Sequence, residues 1–517
     1  MLTNEYANPT PPDLPVPSDH CTSPDIPTST TDTETYDISD HPEEECAIFG
    51  IYAPGEDAAR MTYFGLHALQ HRGQQAAGIA ISDGKEDVYA YKDKGLVNQV
   101  FSESTLKSLE GHIAIGHTRY SAGSPGDSWE TAQPHLFAVG DETIGLANNG
   151  TFLNTDEVRA KLIERGIEFR TETASEVAAK LIGNITCETN HMREGIREAM
   201  QLINGAYCMV LLTQTSLYAF RDPSGFRPLC IGELPEGRGW VVASESCGLD
   251  IVGASFVREV EPGEIIRINE EGLISEQAVP ARDRAFCIFE YVYIARPDST
   301  IDGLNVYDAR ERMGRRIAEE CPTEADIVIG VPDSGVPSAV GYARASGIPY
   351  SDGIVKNRYV GRTFIQPTQA LRQLGVRLKL NPLTSIIKDK RLVVVDDSIV
   401  RGTTSKQLIQ MLRDAGAKEV HMRITSPPVV WPCFYGVDIK TQDQLISATH
   451  SIEQVAEAIG ADSLAYISLE GLVDCCRTDR SGFCTACFSG EYPLHVPENI
   501  QQTSFCGSLK PCFRDNM

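Results

Sequence analysis

Basic side chains are scarce in this sequence. Lysine and arginine number 46 against 71 aspartates and glutamates, a formal net charge of −25 over 517 residues. Such a surface disfavours nucleic acid and anionic membrane unless a local basic patch overrides it, so neither is an expected partner. No apolar run is long enough to cross a bilayer. The N-terminus also lacks a basic segment followed by an apolar one, the mark of a secretory signal. A cytoplasmic protein is therefore expected. Cysteine, by contrast, is plentiful: 15 residues, an odd set scattered along the chain. That pattern suggests free thiols, a catalytic cysteine or a metal centre more than a disulfide framework. The length favours two or more domains.

The first 45 residues hold 11 acidic and no basic side chains. Rich in Pro, Thr, Ser and Asp and without apolar periodicity, they read as disordered. At Cys46, directly behind Glu43, Glu44 and Glu45, the composition changes to the apolar AIFGIY. From there to about residue 280 short β-like runs dominate: HIAIGHTRY, TIGLANNGTF, AYCMVLLT, SLYAFRD and GWVVASES. Two helix-like segments, MTYFGLHALQHRGQ and SEVAAKLIGNI, interrupt them, which predicts an α+β layered domain. Between about 305 and 470 the rhythm becomes strand–turn–helix, as in ADIVIGVPDSG and in RLVVVDDSIVRGTTS leading into SKQLIQMLRDAGA. That alternation predicts a parallel sheet with crossover helices. The last 45 or so residues are cysteine-rich with little periodicity.

VVVDDSIVRGTTS places Asp396 and Asp397 where a parallel strand runs out, the place where open α/β sheets bind ligands. Gly402, Thr403, Thr404 and Ser405 follow, just before a helix. Small residues let backbone N–H groups come close, hydroxyls add donors, and a helix N-terminus favours an anion. Two carboxylates beside such a cradle suit ribose hydroxyls and a Mg²⁺ shared with pyrophosphate. A bare DD pair would be no more than a strand-end turn before a capped helix. The whole stretch, however, resembles the phosphoribosyl pyrophosphate (PRPP) signature of type I phosphoribosyltransferases. KNRYVGRTFIQP (Lys356 to Pro367) and VPDSGVP (Val331 to Pro337) narrow the resemblance to glutamine phosphoribosylpyrophosphate amidotransferases. The resemblance implies that Asp396, Asp397 and Ser334 help hold Mg²⁺, and that Arg401, Gly402, Thr403, Thr404 and Ser405 hold the 5-phosphate. It places Lys356, Arg358 and Arg362 on a mobile loop closing over pyrophosphate, which would keep water from an oxocarbenium-like ribose C1.

The resemblance runs from Cys46 to about Gly490. Its first half looks like an N-terminal-nucleophile glutaminase, in which a propeptide is removed so that the cysteine becomes the first residue. Cys46 would then carry both the nucleophilic thiolate and a free α-amino base, whose pKa is roughly 7.7–8.0. Residues 1–45 would be the acidic propeptide. The motifs behind it are QHRGQ with Arg72, GHTRYSAG with Arg119, and NNG with Asn149 and Gly150. The resemblance implies that Arg119 clamps the glutamine carboxylate, that Asn149 and Gly150 form the oxyanion hole, and that Arg72 shapes the substrate site. RDPSGFRPL and ASESCGLD also match, as scaffold. One departure stands out: the family reads Ser/Thr-Asp-Ser/Thr-Glu where this chain has Thr173-Ala174-Ser175-Glu176. The missing aspartate is the one expected to receive the glutamine ammonium. Glu172 or another acceptor substitutes, or glutamine binds weakly and free ammonia becomes the better donor.

FCTACFSGEYP holds Cys484 and Cys487 in a C-x-x-C, which by itself is open among zinc, iron–sulfur, redox chemistry and chance, with Cys475 and Cys476 competing nearby. One branch of the family carries a [4Fe–4S] cluster, and its ligand positions fall on Cys287, Cys433, Cys484 and Cys487. The fold implied is an α+β N-terminal-nucleophile glutaminase domain of stacked sheets with flanking helices (46–280), followed by an α/β type I phosphoribosyltransferase domain (281–470) and a cysteine-rich segment (471–517). The activity implied is transfer of glutamine-derived ammonia to PRPP, giving 5-phosphoribosylamine in purine synthesis. Purine nucleotides are the implied feedback inhibitors, and a homotetramer or homodimer the implied assembly. Two alternatives are a hexosamine-phosphate-synthase type of amidotransferase, which DDSIVRGTTS opposes, and an ammonia-dependent or catalytically silent PRPP-binding regulator, which only Ala174 favours.

Overall fold

Two antiparallel sheets stack through the N-terminal half. The computed structural model describes residues 46–504 apart from 86–87, 121–127, 358–379, 440 and 481. Residues 1–45, expected to be a propeptide, and Arg358 and Arg362 lie outside the described residues. One sheet has seven strands, and Ala47–Tyr52 sits inside it between Ile113–Arg119 and Trp240–Ala243. The other has six, with Glu142–Phe152 and Gly205–Leu212 as neighbours. Alternation along the strands explains the stacking. Ala47, Phe49 and Ile51 face a cluster that includes Leu66 of the helix Ala58–Ala68, while Ile48 and Tyr52 face Val210, Leu212 and Ala219 of the opposite sheet. On the far side, Tyr207, Met209 and Leu211 meet the helices Ala174–Thr189 and Met192–Leu202. The result is four layers, helix–sheet–sheet–helix. Strands buried on both faces read as near-continuous apolar runs.

The second half is a parallel sheet of Ile327–Gly330, Arg391–Asp396, Glu419–Ile424 and Ser463–Tyr466, in that order. Helices Val306–Glu320 and Gly335–Ser346 cover one face, against Val328, Val393 and Val395. Helices Thr403–Asp414 and Ile452–Ile459 cover the other, against Ile329, Leu392 and Val394. The helix Leu469–Cys476 crosses the expected boundary at 470, and Leu472, Cys475 and Cys476 belong to this domain's core. Beyond it, the short strand Phe483–Cys484 pairs in parallel with Phe286–Cys287 and ties the C-terminal segment to the domain's start. No helix among the described residues is long and apolar enough to cross a membrane.

Candidate active site

Cys46 leads directly into the central strand Ala47–Tyr52, whose first residue lies opposite Thr118, next to Arg119. Burial pushes the Cys46 thiol up to about 11, against the pull of Arg119 and Arg72. A thiol in that state is no nucleophile until a base takes its proton. Arg72 is wholly buried. Its Nε donates to the Cys46 carbonyl at 3.3 Å, one Nη donates to Glu245 at 2.7 Å, and both Nη donate to Glu290 at 2.8 and 2.7 Å. Enclosed in this way, Arg72 acts on the site as a positioning residue that fixes the backbone of Cys46. Arg119 donates to Thr131 of the short turn Trp129–Thr131.

The strand Glu142–Phe152 carries Asn149 and Gly150 opposite Cys208 and Tyr207. Asn149 is fully buried, yet neither its side-chain oxygen nor its nitrogen has a protein partner. A buried amide that spends neither atom on the protein is one that a ligand can use. Gly150 stands at φ +134°, and a Cβ there would lie 2.1 Å from the Ala206 carbonyl oxygen. Only glycine fits. His117, two residues before Arg119, donates from Nε2 to the carbonyl of Asn148 at 3.1 Å. It is neutral, because burial lowers it to about 3. This bond ties the arginine strand to the asparagine strand.

Ala174 opens the helix Ala174–Thr189, with Thr173 as its N-cap, accepting from the backbone N–H of Glu176. Glu176 itself is spent on the backbone of Arg170 and Thr171 and on the Thr171 hydroxyl. Glu172 is exposed. A cavity of about 920 Å³ lies nearby, lined by Lys92, Trp129, His135 and Glu176 among others, but neither Cys46 nor Asn149 lines it.

In the parallel domain, Asp396 ends the strand Arg391–Asp396, Asp397 follows it, and both are buried. Asp397 accepts from Ser334 and, at 2.7 Å, from Ser398, while Asp396 accepts from the Asp397 backbone N–H at 2.9 Å. Ser334 immediately precedes the helix Gly335–Ser346, so the VPDSG loop and the DD loop meet. Lys356 reaches that loop too, 2.5 Å from Asp333. Gly402, at φ +78°, caps the helix Thr403–Asp414, and Ser405 is buried in its first turn. Arg401 donates to Gln444 at 3.1 Å. Oxygen donors alone suit a hard cation that keeps water and substrate phosphates as its other ligands. Ser334, Asp396 and Asp397 fit that description.

Cys287, Cys433, Cys484 and Cys487 line one small cavity with Phe226, Phe289, Tyr435, Val437 and Ile439. All four are free thiols. Cys287 lies opposite Cys484 in the parallel pair, and the Cys487 carbonyl accepts from the backbone of Val430 and Trp431. Burial pushes Cys287 and Cys484 up to about 12. Cys475 and Cys476 do not line this cavity and are buried in the domain core. Among the described residues no group of three or more His, Cys, Asp or Glu side chains is arranged to hold a single metal ion. Four soft donors around one apolar-walled space nevertheless fit a thiolate-bound centre.

Glu245, Glu290 and Arg227 were not singled out from the sequence. Glu290 is the one acid in the apolar run FCIFEYVYIA, and that isolation was the available signal. It opens a π-helical turn, Glu290–Ile294, whose backbone Arg310 holds from the other side through the carbonyls of Tyr291 and Ala295.

A cysteine at the head of the central strand of one sheet, an orphaned amide on the strand Glu142–Phe152 of the other, and a strand-end DD loop beside a helix-capping glycine suit a glutamine amidotransferase joined to a phosphoribosyltransferase. Family models agree: a glutamine amidotransferase domain matches residues 117–250 and a phosphoribosyl transferase domain matches 302–425. Amidophosphoribosyltransferases from Synechococcus elongatus and Mycobacterium tuberculosis are 50% and 51% identical, covering 90% and 88% of this chain and 94% and 88% of their own. A solved structure, the glutamine PRPP amidotransferase of B. subtilis complexed with ADP and GMP, superposes with a TM-score of 0.81 at 46% identity, covering 88% of this chain and 98% of that one. The chain belongs to the amidophosphoribosyltransferase family.

Proposed function

We infer that this chain transfers the amide nitrogen of glutamine to PRPP, giving 5-phosphoribosylamine, pyrophosphate and glutamate, the first step of purine biosynthesis. The observation that carries the reading is the pairing, in one chain, of the Cys46–Asn149 site with the Asp396–Asp397 loop. Removal of residues 1–45 frees the Cys46 α-amine, which takes the thiol proton that burial otherwise holds in place. Arg119 clamps the glutamine carboxylate. The thiolate attacks the γ-carbonyl, and its oxygen gains charge where Asn149 and Gly150 donate. The α-ammonium gives its proton to the leaving nitrogen, the C–N bond breaks to release ammonia and leave a γ-glutamyl thioester, and water then releases glutamate from that thioester. Ammonia passes within the protein to ribose C1 of PRPP, whose 5-phosphate sits on Arg401 to Ser405 and whose pyrophosphate faces Lys356 and the loop bearing Arg358 and Arg362.

Mg²⁺, when bound with PRPP beside Ser334, Asp396 and Asp397, neutralises charge on the leaving pyrophosphate. The shared cavity of Cys287, Cys433, Cys484 and Cys487 supports a [4Fe–4S] cluster as a structural tie between residues 287 and 487. The ADP and GMP seen on the Bacillus relative support purine nucleotides as inhibitors here. The test is pyrophosphate release from PRPP with glutamine or with ammonium. Cys46→Ala is expected to abolish the first and spare the second. Loss of both, or of neither, would remove Cys46 from the mechanism.

A further inference from the structure

The turn from Cys433 to Val437 belongs to the transferase half but touches the glutaminase half at two points. At its start Cys433 lines the four-thiol cavity. Two residues on, Tyr435 stacks on Phe226 with ring centroids 4.5 Å apart, and its carbonyl accepts from Arg227. Gly436 then stands at φ +117°, so close that a Cβ there would lie 2.9 Å from an Arg227 nitrogen and 3.8 Å from the Cα of Gly150. The backbone behind the proposed oxyanion hole is thus braced by this turn.

Arg227 carries the contact further. Its carbonyl accepts from the thiol of Cys208 at 3.5 Å, and Cys208 lies directly opposite Asn149. Its guanidinium is 3.9 Å from Glu290, whose other partner, Arg72, holds the Cys46 carbonyl. One turn therefore meets the asparagine–glycine strand from behind and reaches the nucleophile through buried charges. None of these contacts runs to the Asp396–Asp397 loop.

We propose that the Cys433–Val437 turn, acting through Gly436 and Arg227, is a positioning element of the glutaminase site, so that order in the four-thiol cavity governs glutamine hydrolysis and not phosphoribosyl transfer. The proposal rests on the glutaminase reading of Cys46 and Asn149. Gly436 is required by its backbone conformation and by the lack of room for a side chain. A displaced oxyanion donor of even about 1 Å costs on the order of 100-fold in rate.

The experiment compares Gly436→Ala and Arg227→Lys with wild type and with Cys46→Ala, each assayed with glutamine and with ammonium. Both substitutions are expected to lower kcat with glutamine about 10- to 100-fold. The glutamine KM should stay within about threefold, because Arg119 is untouched, and the ammonium-dependent rate within about twofold. Cys433→Ser should show the same selectivity for the glutamine reaction. Equal loss with both donors, or a rise in KM alone, overturns the proposal. Should Gly436→Ala not accumulate as folded protein, the donor ratio in Arg227→Lys decides. If Cys46→Ala itself retains glutamine-dependent turnover, the glutaminase reading has failed rather than the turn.

Discussion

The resemblance implies that the glutamine ammonium lies at position 174, where the helix that Ala174 opens offers it no free carboxylate, Glu176 being spent on the backbone of Arg170 and Thr171. A charge-assisted bond of that kind is worth about 1.5–3 kcal/mol, roughly 10- to 150-fold in affinity. Ala174→Asp should therefore lower the glutamine KM by about tenfold or more and leave ammonium-dependent turnover alone. An unchanged or higher KM would mean that another group already receives the ammonium. Asp396 and Asp397 should behave oppositely with respect to donor. Either one changed to Asn is expected to depress turnover about 10- to 100-fold with glutamine and ammonium alike, because the proposed PRPP site serves both. Near-normal PRPP binding in both variants would reduce the pair to a turn that orders Ser334 and Ser398. The DD pair was expected where a parallel strand runs out, and it stands there; Asn149 and Gly150 were proposed from the resemblance alone. Arg72 was read as shaping the substrate site. Its burial between Glu245 and Glu290, residues 173 and 218 positions away, has no local signature.

At the scale of elements, the helix Ala174–Thr189 and the strand Ile113–Arg119 were legible as the helix-like segment SEVAAKLIGNI and the β-like run HIAIGHTRY. The π-helical turn Glu290–Ile294 was not, since its apolar sequence reads equally well as a strand and its shape depends on Arg72 on one side and Arg310 on the other. Glu290→Gln leaves Arg72 short of one buried charge and should cost about 3–5 kcal/mol, seen as a lower midpoint of thermal unfolding. The same region sets the response to acid. Burial would raise Glu245, but His71 and Arg72 hold it well below its ordinary 4.5. Its stabilising contribution is complete above that value and is lost as pH falls through the depressed one. His117, lowered by burial from 6.5 to about 3, stays neutral when folded. Unfolded chains bind the extra proton between those values, so stability falls as pH drops through that window. Thermal unfolding midpoints should decline from about pH 7 downwards and more steeply below about 4.5. A flat profile between about pH 7 and 5 would exclude His117 from this role.

For the whole molecule, three separate segments deliver four thiols to one cavity, a convergence that C-x-x-C alone could not announce. If the cavity holds the proposed cluster, anaerobically purified protein is brown and carries about four irons per chain. Cys433→Ser bleaches it and exposes the chain beyond about residue 470 to proteolysis. Cys475→Ser and Cys476→Ser, in the core beside the helix Val306–Glu320, leave the colour intact. A colourless protein with bound zinc would replace the cluster by a single ion. The central claim is larger than any one centre: two chemistries in one chain, with ammonia passed between them and not released. It is tested most directly by counting glutamate and pyrophosphate together from the first turnover, with and without an added ammonia-consuming dehydrogenase. The account predicts about one glutamate per pyrophosphate in both cases. Pyrophosphate release that collapses when the dehydrogenase is present, while glutamate continues to form, would contradict it.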